Sequence, residues 1–271
     1  MKYYLLKLIA ALMISITAVA VCHGYAYPSD ADRALSADAA EVAQFLAKSN
    51  VIIDPKLIDD RAHLVYECEM QNEFTDKKES AKLFLGEAIE EKNGAYVSAN
   101  GRVLYSDEGR LSYIPESPKF ASMLSDISPR NADKKAKQIC AKLGIDTSSC
   151  NFGISAGSDR TTVSVMPMIK GRPVYNDALI LEMSNAGLHS ITGVWYSAAK
   201  AHSEKYVKSA SYALRYFMSN YADTRVKTEI TDMQLGYNLT NVSSQESAVK
   251  PVWKITVANS AVYYIDAASE E

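Results

Sequence analysis

Residues 250–267, KPVWKITVANSAVYYIDA, decide the reading of the fold. In Val252–Val257 the bulky Trp253, Ile255 and Val257 alternate with Lys254 and Thr256. That period of two marks a strand with one face on a core and the other towards water. Asn259-Ser260 then turns the chain, and Ala261–Ala267 returns as a second strand. A strand at Met233–Leu239 precedes the pair, and before it Val207–Tyr221 reads as a helix carrying Tyr212, Leu214, Tyr216 and Phe217. Helix followed by antiparallel strands is the scheme, and it occurs again upstream.

Asn131–Leu143 is a helix that Gly144 stops, and strands follow near Phe152–Ala156, Thr161–Met168, Pro173–Met183 and Leu188–Ser197. Earlier still, Ala37–Lys48 is helical with Ser36 as cap, and Val51–Asp54 is a short extended piece ended by Pro55. His63–Phe74 reads as a strand and Lys77–Leu85 as a short helix. Then come Ala95–Ala99, Arg102–Ser106 and Arg110–Ile114, parted by the turn sequences Asn100-Gly101 and Asp107-Glu108-Gly109. No βαβ rhythm appears. The expected class is α+β: an N-terminal membrane helix, then two similar modules of helix packed on antiparallel sheet. The modules cover 30–115 and 129–271, and Ile114–Ser128, with Pro115 and Pro118, divides them.

The 271 residues are 48% apolar, enough to fill one or two cores. Basic and acidic residues number 29 and 32, and Lys2 and Lys7 belong to the leader, so the remainder carries 27 against 32. A general nucleic-acid binder needs a basic face, and that class is excluded. Met1–Cys22 reads MKYYLLKLIAALMISITAVAVC: positive charge first, then an uninterrupted, mostly apolar run from Leu8. As a signal peptide it offers small-x-small exits at Ala18-Val19-Ala20 and Gly24-Tyr25-Ala26. As a single-pass anchor, residues 3–22 reach across the hydrocarbon if Lys7 snorkels. Both readings leave the N-terminus cytoplasmic and the body outside, membrane-held or secreted according to cleavage. In the anchored case Ala11 and Ser15, with Ala18 on nearly the same face, let a second membrane helix approach closely.

In an oxidising compartment Cys140 and Cys150, ten apart, are the natural disulfide pair, worth roughly 2–3 kcal/mol. The alternative is two reduced, buried thiols. Cys68 reads as a small core residue on a strand.

Chemistry is harder to find. His23, His63, His189 and His202 share no metal-ligand spacing with one another or with Cys or carboxylates, so neither a metal nor another cofactor is expected. Gly153-Ile154-Ser155-Ala156-Gly157 matches G-x-S-x-G, but its surroundings read as strand, turn and strand instead of a nucleophile elbow. Ser197-Ala198-Ala199-Lys200 matches S-x-x-K, and the supporting K-T-G fails because Glu229 follows Lys227-Thr228. No catalytic residue is assigned.

The order of the parts resembles the YycH/YycI family, its YycI branch in particular: regulators of an essential two-component sensor histidine kinase in Gram-positive bacteria. The resemblance runs through the leader and Glu41–Asp54, EVAQFLAKSNVIID. It continues at Gly171–Ala178, GRPVYNDA, and Leu235-Gly236-Tyr237, and closes with Lys250–Ile255 and Tyr263–Ala267. It implies a non-enzymatic, membrane-anchored extracytoplasmic regulator that contacts the kinase and works with a YycH-like partner. The runner-up is a secreted PepSY-like module that binds or inhibits an extracytoplasmic protease or hydrolase. Each motif also has a structural role: Trp253 can fill a gap between sheet and helix, and Gly236 can permit close packing.

Overall fold

The computed structural model describes residues 39–107, 109–197, 201–242 and 245–268. The expected membrane span, with Ala11, Ser15 and Ala18, lies outside them. No helix among the described residues is long and apolar enough to cross a membrane.

The fold is mixed α+β, with two largely antiparallel sheets and few helices. The seven-stranded sheet has the order β1 (Val51–Ile53), β14 (Thr228–Leu239), β15 (Glu246–Val257), β2 (Leu64–Asn72) and β12 (Tyr196–Ser197). In it β13 (Ala201–Tyr206) also pairs with β2, and β16 (Val262–Asp266) with β15. Its β1–β14 pair is parallel. The nine-stranded sheet runs β3 (Glu90–Lys92), β4 (Ala95–Ser98), β5 (Gly101–Tyr105), β6 (Leu111–Ile114), β11 (Gly187–Gly193), β10 (Leu179–Ser184), β8 (Thr161–Ile169) and β7 (Cys150–Ala156), with β9 (Arg172–Pro173) on β8.

Five α-helices cover these sheets among the described residues: α1 (Ala39–Ala47), α2 (Lys77–Leu85), α3 (Ala121–Leu124), α4 (Ala132–Lys142) and α5 (Ala210–Asn220). Asp76 caps α2 by accepting from Lys78 N and Glu79 N, and the chain leaves the helix through Gly86 at φ 82°. Ser209 caps α5 through Tyr212 N. On α4 the buried Ala132, Ala136, Ile139 and Cys140 form one stripe at helical spacing. That stripe joins Phe84, Val103, Leu111, Tyr113, Leu181 and Ile191 in the core of the larger sheet. Val42 and Leu46 of α1 and Leu214 and Phe217 of α5 meet Trp253, Ile255 and Val257 in the core of the smaller one. A third cluster, with Val65, Cys68, Met70, Val174, Tyr196 and Tyr237, lies where the sheets adjoin.

Each sheet takes strands from both sides of Ile114–Ser128: β6 pairs with β11, and β15 pairs with β2. In chain order, the larger sheet is an excursion out of the smaller. The sheets therefore do not divide at Ile114–Ser128; the other differences from the sequence reading are local. The all-charged β3 and the polar β13 form strands where none is expected, each held by a neighbour. Pro173–Met183 splits into β9 and β10, because the chain leaves the larger sheet between them to touch the smaller.

A candidate binding cleft where the sheets adjoin

The chain passes from the smaller sheet to the larger at Asn72–Phe74 and back at Gly193–Tyr196. The two crossings are bonded to one another: Asn72 stands opposite Tyr196, and Glu73 N donates to Trp195 O at 2.9 Å. Asn72 is buried, and its Oδ1 accepts from Phe74 N at 2.9 Å, which bends the outgoing crossing.

A second connection is the excursion after β9. Val174 bridges Tyr237, and Tyr175 N donates to Tyr237 O at 2.9 Å. Asn176 clasps the backbone of Leu239, donating from Nδ2 to its O at 3.0 Å and accepting from its N at Oδ1 at 2.6 Å. Gly236 makes this approach feasible, since a Cβ there would stand 2.5 Å from Tyr175 Cε2 and 2.6 Å from Pro173 O. The close-packing role expected of Leu235-Gly236-Tyr237 is the one observed.

Beside the paired crossings a cavity of about 490 Å³ opens to solvent, lined among others by Glu73, Phe74, Asp146, Cys150, Met168 and Trp195. Trp195 and Phe74 are buried aromatic walls, and Glu73 and Asp146 are the charged residues of the lining. Backbone and side-chain hydrogen bonds from Ser148 hold the Asp146 carboxyl below its usual range, so it is anionic at neutral pH.

Cys140, buried, and Cys150, half-buried, stand as free thiols. Burial pushes the Cys140 thiol up to about 12, with the Cys150 charge adding to it. Burial, then Asp146 and Asp177, lift Cys150 to about 11. Both remain protonated at neutral pH, which makes them poor nucleophiles.

Asp177, buried completely, follows Asn176 of the clasp. Its Oδ2 accepts from Tyr196 N at 3.3 Å, and its Oδ1 has no partner among the described residues. Burial raises its carboxyl well above the ordinary 3.8, the Tyr196 N–H opposing in part. Folding therefore keeps a proton that the unfolded chain loses above about pH 4, so stability falls as pH rises from there until the folded carboxyl itself ionises. Asp177→Asn removes this slope: its advantage over the native chain grows as pH rises above about 4, read as urea midpoints. Parallel pH profiles for the two proteins refute the assignment.

The remaining sequence candidates fall elsewhere. Ser155 lies on β7 opposite Thr162, and Gly157 N donates to Arg160 O at 2.8 Å, so the G-x-S-x-G run is strand and hairpin. Ser197 is on β12 opposite Gln71, and Lys200 lies outside the described residues. His63 packs edge-on to Trp253 at 5.7 Å, with Nε2 3.4 Å from Asp59 Oδ2. Among the described residues no three of His, Cys, Asp and Glu gather as a metal site. Sequence reasoning missed Asp177 and Trp195. A lone Asp in Tyr175-Asn176-Asp177 carries the signature of a turn, and nothing local announces its burial.

No family model and no curated protein matches the sequence. Among solved structures, the chain is similar to an uncharacterized protein from Eubacterium rectale ATCC 33656 (13% identity, TM-score 0.49, covering 82% of this chain and 84% of that one). It is also similar to the Bacillus megaterium YpeB C-terminal domain (11% identity, TM-score 0.35, covering 70% of this chain and 96% of that one). Both are distant in sequence and in shape, and neither carries a function to this chain.

Proposed function

We propose that the protein is a non-enzymatic extracytoplasmic binding module, tethered by its leader, that regulates a two-component sensor histidine kinase together with a YycH-like partner. The observation that carries the binding part is the open cleft beside the paired crossings. Its walls are aromatic and acidic, and its one thiol is held protonated. The kinase and the YycH-like partner rest on the ordered pieces of sequence from Glu41–Asp54 to Tyr263–Ala267.

The test is expression of the native gene in a Gram-positive host, followed by fractionation, intact mass and crosslinked capture. The expected result is an uncleaved 29.7 kDa chain that resists alkaline wash and brings down a histidine kinase. A chain in the medium starting near Val21 or Tyr27, captured with a protease or hydrolase, overturns this reading in favour of the secreted PepSY-like one.

If the leader anchors the chain, replacing Ala11 and Ser15 with Leu or Ile weakens kinase output in a reporter strain and leaves the body's circular dichroism unchanged. Unaltered output removes the helix-contact part of the proposal.

A further inference from the structure

β7 stands last in the nine-stranded order, paired with β8 and meeting no other strand among the described residues. Its register shows which backbone groups are open. Met168 N donates to Ser149 O at 2.9 Å and Gly157 N to Arg160 O at 2.8 Å, bracketing the strand with hydrogen-bonded pairs. By the alternation of an antiparallel ladder, Asn151, Gly153 and Ser155 direct their backbone groups to β8, and Cys150, Phe152, Ile154 and Ala156 direct theirs outward. The residue opposite Cys150 is Pro167, which has no N–H to give, in agreement with that parity. Phe152 N is occupied locally by Asn151 Oδ1 at 3.0 Å.

The other end of the same order is protected, because β3 is three residues of Glu90, Glu91 and Lys92. Short, charged edges of this kind resist strand addition. β7 has none of these devices: it is seven residues long, uncharged from Cys150 to Ala156, and leaves Ile154 40% exposed. α4 covers one face of β7, with Lys137 Nζ 4.7 Å from the Phe152 ring centroid, while Ile154, Ser155 and Ala156 are exposed.

The edge runs straight into the cleft, whose lining includes Ser148, Ser149 and Cys150 at the start of β7. The charges waiting there, Glu73 and Asp146, are both negative and both exposed. We propose that β7 is a docking edge for an extended segment of a partner protein, which adds as a further strand and places a lysine or arginine side chain in the cleft. The backbone groups of Ile154 and Ala156 supply pairing, and the carboxylates, with Trp195 beside them, select the basic side chain. A second copy of this chain is the poorer occupant. Seven residues of edge bury far less than the roughly 1,000 Å² a stable dimer needs, and self-pairing offers no cation to the cleft. The proposal rests on the reading of the protein as a binding module and names the surface that reading requires.

The test uses the purified full-length chain and two fluorescein-labelled, end-blocked peptides of alternating threonine and valine, one closed by lysine and one by glutamate. Fluorescence anisotropy is expected to show the lysine peptide binding at least about tenfold more tightly. Glu73→Gln with Asp146→Asn should erase that preference. Ile154→Pro should weaken the lysine peptide by about tenfold or more, as an added strand loses a backbone bond. Because the Ile154 N–H faces away from β8, proline there spares the existing ladder, and circular dichroism checks that the variant folds. Ala156→Pro, of the same parity, serves if Ile154→Pro does not fold.

Absent binding, equal binding of the two peptides, or binding indifferent to a folded proline variant each overturns the proposal. So does a dimeric mass by light scattering that either proline variant halves. If deleting the gene changes kinase output although the peptides do not bind, the edge fails and the regulator stands. Peptide binding without any effect on kinase output does the reverse.

Discussion

Gly193→Ala is expected to abolish folding or to lower Tm by about 10 °C or more, a loss of roughly 4 kcal/mol or greater. Gly193 closes β11 at φ 136°, a backbone conformation that side-chain-bearing residues rarely adopt. It stands in the interior of the larger sheet, opposite Leu179 on one side and Leu111 on the other. A Cβ there would lie 1.9 Å from Ala178 O and 3.0 Å from Ala178 C, so the obstruction is backbone, and no side-chain rotation relieves it. The control is Gly94→Ala. Gly94 also has positive φ, at 75°, but nothing lies within 4 Å of the added carbon, and the cost should be about 1 kcal/mol. Thermal melts of the two variants settle the matter, and equal losses refute the steric account.

Trp253→Ala should cost about 3–5 kcal/mol in urea unfolding. The indole is 2% exposed in the core beneath α1 and α5 and meets His63 edge-on. Its Nε1 donates to Lys208 O at 2.8 Å, tying β15 to the segment just before α5. Trp253→Phe keeps most of the apolar body and loses the bond, so its cost should fall between native and Ala, at about 1–3 kcal/mol. An Ala variant no worse than Phe contradicts the packing argument. The chain has two tryptophans, so the Phe variant also leaves Trp195 as the sole indole reporting on the cleft.

Much of this architecture is legible in residue order, because it depends on local physics. The alternation of Trp253, Ile255 and Val257 against Lys254 and Thr256 appears in the burial of β15, and the Asn259-Ser260 turn joins β15 to β16. α2 spans Lys77–Leu85, the range expected of a short helix, with Asp76 capping its start and Gly86 at its end. What hides is the pairing over long separations. β2 and β15 are strands in isolation, but that Ser247 lies opposite Met70 follows from no local pattern. The polar β13 gains its extended form from pairing with β2, a tertiary influence that overrides propensity. The cleft is hidden for the same reason. Glu73, Asp146, Cys150 and Trp195 are scattered over more than 120 residues, and the crossings alone assemble them.

The bonded crossings at Asn72–Phe74 and Gly193–Tyr196 also constrain the order of events as the chain is made. β1 and β2 leave the ribosome early, but their partners β12, β14 and β15 follow only after the excursion between the crossings is complete. The larger sheet takes all its strands from within that excursion, so it can finish first, while the early strands stand open. Its completion brings residues 72 and 196 face to face and removes the long loop that would otherwise separate β2 from β12. The excursion thus acts as a built-in splint for the smaller sheet. A nascent chain stalled once Gly193 has cleared the ribosomal exit tunnel should protect the larger sheet from protease while β1 and β2 are still cut.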